Sequence, residues 1–344
     1  KWLSNDRKVL EKVPMSERAD SVKDLDAESL PTGSALGLKW NAETDKFVWL
    51  DPQKTSTLMR SKPTTRRTIL SIVYSLFDPL GFIAPYVMKA KLLMQMLCRM
   101  KFDWDSPLSQ EHGDQWHRWI EDLPKLQGLQ VDRCYKPEDF GVVQNTQLHI
   151  FSDGSRAGYG SVAYLRLVND NKRIHCAFVI GKARLAPIRE ITIPKLELSA
   201  AVISVKLSKI VREELEFKLD KVVYWTDSTS VLKCLNNETK RFHTFESNRI
   251  TTIRNESSVA QWRYVPSEEN PADDASKGLK LTSMLRNTRW LNGPDFLRKE
   301  EEFWPQMVAV PPLADNDPEI RQESQVYANV AKGNILDEII QHYS

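Results

Sequence analysis

Four acidic residues, Asp153, Glu197, Asp227 and Asp273, stand 44, 30 and 46 residues apart at positions from which carboxylates could act together. Asp153 closes the strand-like run 148–152 and is followed by Gly154-Ser155. Glu197 lies in the first turn of a long helix opened by Pro194. Asp227 closes the run 222–226 directly before Ser228, a good helix N-cap, and Asp273 starts the helix after Asn270-Pro271. In an open α/β sheet, the ends of neighbouring central strands and the starts of the helices that follow them form the usual ligand crevice. Carboxylates crowded there repel one another strongly unless cations intervene. Mg²⁺ takes hard oxygen ligands, and two such ions suit in-line displacement at a phosphodiester. Each acidic residue alone reads more simply as a cap, a turn or a favourable first-turn charge. The set, in order and on the right elements, points to metal-assisted chemistry.

The elements that must position these residues follow from periodicity. Runs 148–153, 160–165 and 174–180 alternate or cluster apolar residues with short connections, which predicts an antiparallel meander. Leu196, Ala200, Ile203, Leu207 and Ile210 line one face of a helix to about residue 215. A strand at 222–226, a helix capped by Ser228 and a strand at 261–265 complete the order βββαβαβα, a mixed five-stranded α/β sheet. Upstream, a helix from Thr64 to Phe77 is broken by Asp78-Pro79-Leu80-Gly81, a second begins near Ala84, and a third spans 109–123. Trp116 and Trp119 on the third read as core. Residues 35–40 and 46–50 flank a turn-rich segment and predict a hairpin. The chain divides into short strands at 1–60, a helical region at 61–146, the mixed sheet at 147–282, and an acidic linker at 283–344.

With 344 residues, 41% apolar, and 48 Lys+Arg against 46 Asp+Glu, disorder and collagen-like repeats are excluded. Cys98, Cys134, Cys176 and Cys234 form no CxxC or Cys/His cluster, which argues against zinc and for a reducing compartment. The opening Lys1-Trp2-Leu3-Ser4 does not read as a secretory signal. The apolar stretch 69–97 contains Asp78, Pro79, Pro85, Lys89 and Lys91, so no membrane span is expected. Net charge of +2 hides local contrast: residues 170–254 hold 16 basic and 10 acidic residues, whereas 301–344 hold 2 basic and 8 acidic. The basic middle, including Lys172, Arg173, Lys182, Arg184 and Arg189, could face phosphates.

At these residues a family resemblance becomes specific. Segment 147–280 resembles a retroelement-type ribonuclease H domain through Ile150-Phe151-Ser152-Asp153-Gly154-Ser155, Ile193-Pro194-Lys195-Leu196-Glu197-Leu198, Tyr224-Trp225-Thr226-Asp227-Ser228 and Asn270-Pro271-Ala272-Asp273. Ser75-Leu76-Phe77-Asp78-Pro79-Leu80-Gly81-Phe82, Arg184-Leu185-Ala186-Pro187 and Trp290-Leu291-Asn292-Gly293-Pro294 narrow the resemblance to the Pol polyprotein of BEL/Pao LTR retrotransposons. It implies a ribonuclease H-like fold after the end of a reverse transcriptase palm (1–60) and a thumb/connection (61–146), with the final linker leading toward integrase. It implies hydrolysis of the RNA strand of an RNA/DNA hybrid by two Mg²⁺ ions, with Mn²⁺ as substitute. Asp153, Glu197, Asp227 and Asp273 would then be both the catalytic and the metal-binding residues, Asp274 being the competitor for the last place. Gly154, Ser155, Ser228, Thr229, Arg184 and either Asn236 or Asn237 would contact the hybrid. The remaining reverse transcriptase and integrase parts are the implied partners. The implied setting is an intracellular, cytoplasmic retroelement particle with a nuclear step.

One departure stands out: Glu268 occupies the place where many relatives carry a His that aids turnover. His149 and His175 read as structural. No Tyr-x-Asp-Asp motif occurs, so polymerisation is not assigned to this chain. Two other readings compete: an inactive, domesticated or decayed element that only binds, and an aspartic peptidase. The peptidase lacks support, because neither Asp-Thr-Gly nor Asp-Ser-Gly is present.

Overall fold

The computed structural model describes residues 2–19, 32–35, 38–49, 64–287, 289–314 and 316–321. Asp6 opens a short helix, α1 (Arg7–Glu11), by accepting from Lys8 N. Strands β1 (Thr32–Ala35), β2 (Leu38–Asn41) and β3 (Lys46–Val48) form an antiparallel sheet that β4 (Gln130–Asp132) extends. The expected hairpin is β2–β3. Its turn is closed locally by Asn41 Oδ1, which accepts from the backbone N–H groups of Glu43 and Thr44. The charged stretch 20–30 lies outside the described residues.

Helix α2 (Arg66–Ser75) starts at Thr65, which exchanges capping hydrogen bonds with Thr68, and it buries Ile69, Ile72 and Val73. In the breaker that follows, both Asp78 carboxylate oxygens accept backbone bonds, from Phe82 N and Ile83 N at 2.9 Å each. Gly81 has φ +79°, and a Cβ there would stand 2.0 Å from Gly181 O, so turn and sheet meet backbone to backbone. Gly181 N donates to Leu80 O at 2.7 Å across the same contact. Helices α3 (Ala84–Arg99) and α4 (Gln110–Asp122) follow. Trp116 and Trp119 are core, as expected, with Trp119 stacked between Trp116 and Tyr86.

The second sheet has order β7-β6-β5-β8-β9. Its antiparallel meander comprises β5 (Val143–Gly154), β6 (Gly158–Asn169) and β7 (Ile174–Leu185). On the other side of β5 lie β8 (Lys221–Thr226) and β9 (Trp262–Tyr264), both parallel to it. Side chains alternate between two faces. Leu148 and Ile150 point to one core, built with Leu198, Ala201 and Val205 of the long helix α5 (Ile193–Glu214). Phe151, Tyr164, Phe178 and Trp225 point to the other, which also contains the apolar residues of α2, α3 and α4. The mixed α/β fold is therefore the one expected, but the helical region 61–146 is no separate body: it shares a core with the sheet.

Two further differences emerge. Between β8 and β9 the chain forms not one helix but two, α6 (Thr229–Asn236) and α7 (Thr244–Glu256). And residues 283–321 are not a linker. After α8 (Ala272–Lys277) and α9 (Leu281–Arg286), the short α10 (Arg289–Asn292) buries Trp290 completely, and its indole N–H is shared by Gly81 O and Phe82 O. Phe296, Leu297 and Trp304 join the same core. Arg166, 3% exposed, donates to Leu297 O and Lys299 O. The chain then runs back to pair Ile320 with Phe242. The rest of the expected linker, 322–344, lies outside the described residues. Among the described residues no helix is long and apolar enough to cross a membrane.

Candidate active site

The geometry begins with two adjacent parallel strands. β5 and β8 are in register up to Ser152↔Thr226, so Asp153 and Asp227 emerge together at their C-terminal ends. Gly154 turns to the α5 face, where a Cβ would stand 2.5 Å from Glu197 N. Only a glycine lets the first turn of α5 come this close, and that approach places Glu197 beside the strand ends. From the other face comes α8, whose first turn carries Asp273. Asn270, fully buried, fastens the preceding loop by donating to Ser152 O at 3.0 Å and accepting from Ala272 N. Two helices, one on each face, thus deliver carboxylates to the ends of two strands.

Each carboxylate has a partner of its own. Ser276 Oγ donates to Asp153, Ser228 Oγ donates to Glu197 Oε2 at 2.6 Å, Ser267 Oγ donates to Asp227 Oδ2 at 2.6 Å, and Lys277 pairs with Asp273 at 2.5 Å. Burial and neighbouring carboxylates raise three of the four. Burial, with Asp227 and Asp273 adding to it, pushes the Asp153 carboxyl up to about 7 against the hydroxyl of Ser276. Glu197 is raised by burial and by Asp227, Asp227 by burial and by Asp273, each against its serine. Asp274 is different: buried, raised by burial, it is gripped by the Arg289 guanidinium at 2.6 Å and 3.3 Å. Of the two neighbours, Asp273 is the one whose charge acts on Asp153 and Asp227.

The donor set is all oxygen and concentrates negative charge, the chemistry that a hard divalent cation takes. Asp227 Oδ1 is buried with no hydrogen-bond partner. Among the described residues, however, no three His, Cys, Asp or Glu groups converge on one point that could hold a metal ion. The quartet is gathered, and its members are turned onto hydroxyl and ammonium partners. The residues fit the ion in donor type and charge; convergence would mean exchanging those partners.

The expected substrate contacts divide. Ser228 is N-cap of α6, accepting from Val231 N, as well as partner of Glu197. Ser155 is engaged in its own turn and on Ser276 O at 3.0 Å. Thr229, exposed, starts α6 beside Asp227, and Arg184, exposed on edge strand β7, lies in one cross-sheet row with Gly154 and Tyr159. Asn236 is not brought to the site. It ends α6, about 10 Å along the helix from Thr229, and lines a groove with Arg263, Glu301 and Gln306. Asn237 is tied to the backbone of Lys240.

The histidines are structural where expected. His149 is fully buried, accepts the Trp225 indole N–H at Nδ1 (3.1 Å) and so carries its proton on Nε2, toward Gln147 Oε1. Burial, then Arg166, Lys221 and Arg263, hold it well below the usual range and neutral. His175 is likewise lowered by burial. Glu268 lies exposed on the short turn Ser267–Glu269, next to the serine that holds Asp227. The partners that sequence reasoning missed are Ser267, Ser276, Lys277 and Arg289. Ser276 reaches Asp153 from 123 residues away, and no local pattern signals it.

A meander followed by two parallel strands, with α5 crossing one face and acidic strand ends, defines a ribonuclease H-like α/β domain. Residues 65–228 match the family model of the Pao retrotransposon-like RNaseH-like domain. The match joins the helices α2–α4 to the sheet as far as Ser228 and stops before Asp273. A search of curated proteins returns no match. Among solved structures, the N-terminal RNase H domain of Rv2228c from Mycobacterium tuberculosis is similar at 17% identity and TM-score 0.28, covering 38% of this chain and 95% of that one. The foamy viral protease-reverse transcriptase in complex with double-stranded DNA is similar at 12% identity and TM-score 0.38, over 69% of this chain and 45% of that one. RNase H1 of Halobacterium salinarum follows at 13% identity and TM-score 0.23, over 38% and 93%.

Proposed function

We propose that the chain is the ribonuclease H part of a retrotransposon polyprotein and hydrolyses the RNA strand of an RNA/DNA hybrid, with Asp153, Glu197, Asp227 and Asp273 holding two Mg²⁺ ions. The observation that carries this reading is the delivery of four carboxylates, from both faces, to the ends of two adjacent parallel strands. Burial and mutual repulsion there raise three of them, a cost that bound cations would offset. Bound there, divalent metal supplies the positive charge that activates the attacking water and stabilises the departing 3′-oxygen. Asp153 and Asp227, from the paired strand ends, are the central ligands. Glu197 and Asp273 beside them would complete the set, in exchange for the partners the four now have, the hydroxyls of Ser276, Ser228 and Ser267 and the ammonium of Lys277. Thr229 and Arg184, both exposed beside this end of the sheet, are suited to phosphate oxygens of the hybrid.

The test is cleavage of a labelled RNA/DNA hybrid by the purified chain with Mg²⁺, with and without chelator, beside duplex DNA. The reading expects metal-dependent cutting of the RNA strand alone. Equal cutting by Asp227→Asn would overturn the assignment of the site. Hybrid binding without cutting by the wild-type chain would favour the binding-only alternative.

A further inference from the structure

Asp273 and Asp274 are consecutive on α8, a helix of six residues whose Ala272 and Ala275 are seated in the core. At 3.6 residues per turn, consecutive side chains point about 100° apart. Whatever fixes the direction of Asp274 therefore fixes that of Asp273. Arg289 does so, with Nη2 to Asp274 Oδ1 at 2.6 Å and Nε to Oδ2 at 3.3 Å, the fork geometry particular to a guanidinium. The pair is well buried, with side-chain exposures of 4% for Asp274 and 19% for Arg289. The third bond goes elsewhere: Nη1 donates to Glu268 O at 2.6 Å. That carbonyl belongs to the turn whose Ser267 holds Asp227, and whose next residue, Asn270, is pinned to β5. The adjacent Trp290 anchors Arg289 in turn, its indole bonded to Gly81 O and Phe82 O.

We propose that Arg289 is a positioning residue for the carboxylate site: one guanidinium, supplied from beyond the sheet, sets the rotation of the Asp273 helix and the height of the 267–269 turn, and so the affinity of the quartet for divalent metal. This rests on the metal-binding role proposed above for the quartet. Arg289 touches neither substrate nor metal, and its effect passes through Asp274 and Glu268.

The experiment compares the full chain with Arg289→Gln, Arg289→Lys and Asp274→Asn, reading Tb³⁺ luminescence titrations, Mg²⁺ half-activation of hybrid cleavage, amide exchange over 266–277, and Tm. Arg289→Gln is expected to weaken Tb³⁺ binding and to raise the Mg²⁺ midpoint by about ten- to a hundredfold, the range for partners that orient metal ligands. Amide exchange over 266–277 should quicken. Arg289→Lys should recover part of the loss, since one ammonium replaces the charge but not the fork. An Arg289→Gln chain that folds and binds Tb³⁺ with the wild-type midpoint overturns the proposal, whatever its Tm. Should that variant not fold, Asp274→Asn breaks the same pair from the other side and is judged by the same midpoint. A wild-type chain that binds Tb³⁺, loses it on Asp153→Asn, and yet leaves hybrid uncut ends the nuclease reading alone; the Tb³⁺ midpoints still decide the role of Arg289.

Discussion

The two faces of the central sheet are closed in different ways. The α5 face is mainly aliphatic and more local: Leu148, Ile150, Leu198, Ala201 and Val205 come from strands and a helix close in the chain, with Tyr224 stacked on Trp262 beside them. The opposite face is aromatic and borrowed. Phe151, Tyr164, Phe178 and Trp225 are covered by α2–α4 from upstream and by Trp290, Phe296 and Trp304 from downstream. The candidate site draws on both, taking Glu197 from the local face and Asp273 from the borrowed one. One of the four carboxylates therefore depends on packing supplied from outside the sheet.

The largest expected effect breaks this dependence outright. A fragment of residues 142–282 keeps every strand of the five-stranded sheet and all four carboxylates but uncovers the aromatic face, and it should fail to give a dispersed amide NMR spectrum, whereas 64–321 should give one. Within the longer chain, Trp290→Ala should cost about 3–5 kcal/mol in chemical denaturation, the range for deleting a buried large aromatic. The borrowed face also carries a titratable joint at Asp78, whose carboxyl burial pushes up to about 6, against the backbone N–H groups that bond it. The folded state holds this proton more tightly than the unfolded chain, so its contribution is complete below about pH 4 and is lost as pH rises through about 6. Denaturant titrations at pH 4.5 and 7.5 should show about 2 kcal/mol of such dependence, since pH 4.5 already lies above the unfolded value and each pH unit between the two values is worth about 1.36 kcal/mol, and Asp78→Asn should flatten it. On the local face, Ile150→Val should cost only about 0.5–1.5 kcal/mol. Equal costs at Trp290 and Ile150 would erase the distinction between the faces.

Much of the fold and site was legible because its signals are local. Strand alternation, the Pro194 helix start and the Ser228 cap lie within a few residues of what they specify, and the four acidic residues sit at those junctions. Helix α7 was not legible. Its sequence TFESNRITTIRNE is polar and, apart from Phe245, Ile250 and Ile253, offers no apolar stripe to read. Nor was the role of 283–321, where acidic and proline-rich composition outweighed single residues such as Trp290 and Trp304, whose partners lie more than 70 positions away. The choice of Asp273 over Asp274 rests on its motif; the grip of Arg289 on Asp274 is a contact in space that no local pattern signals.

The meeting of Gly81 with Gly181 has a consequence for proteolytic processing. With two backbones in contact and the Trp290 indole bonded over the joint, a cut anywhere in 124–142 would sever the chain without separating its pieces. Such a nick should show on a denaturing gel and leave the size-exclusion volume unchanged, so a chain clipped there would still present one particle.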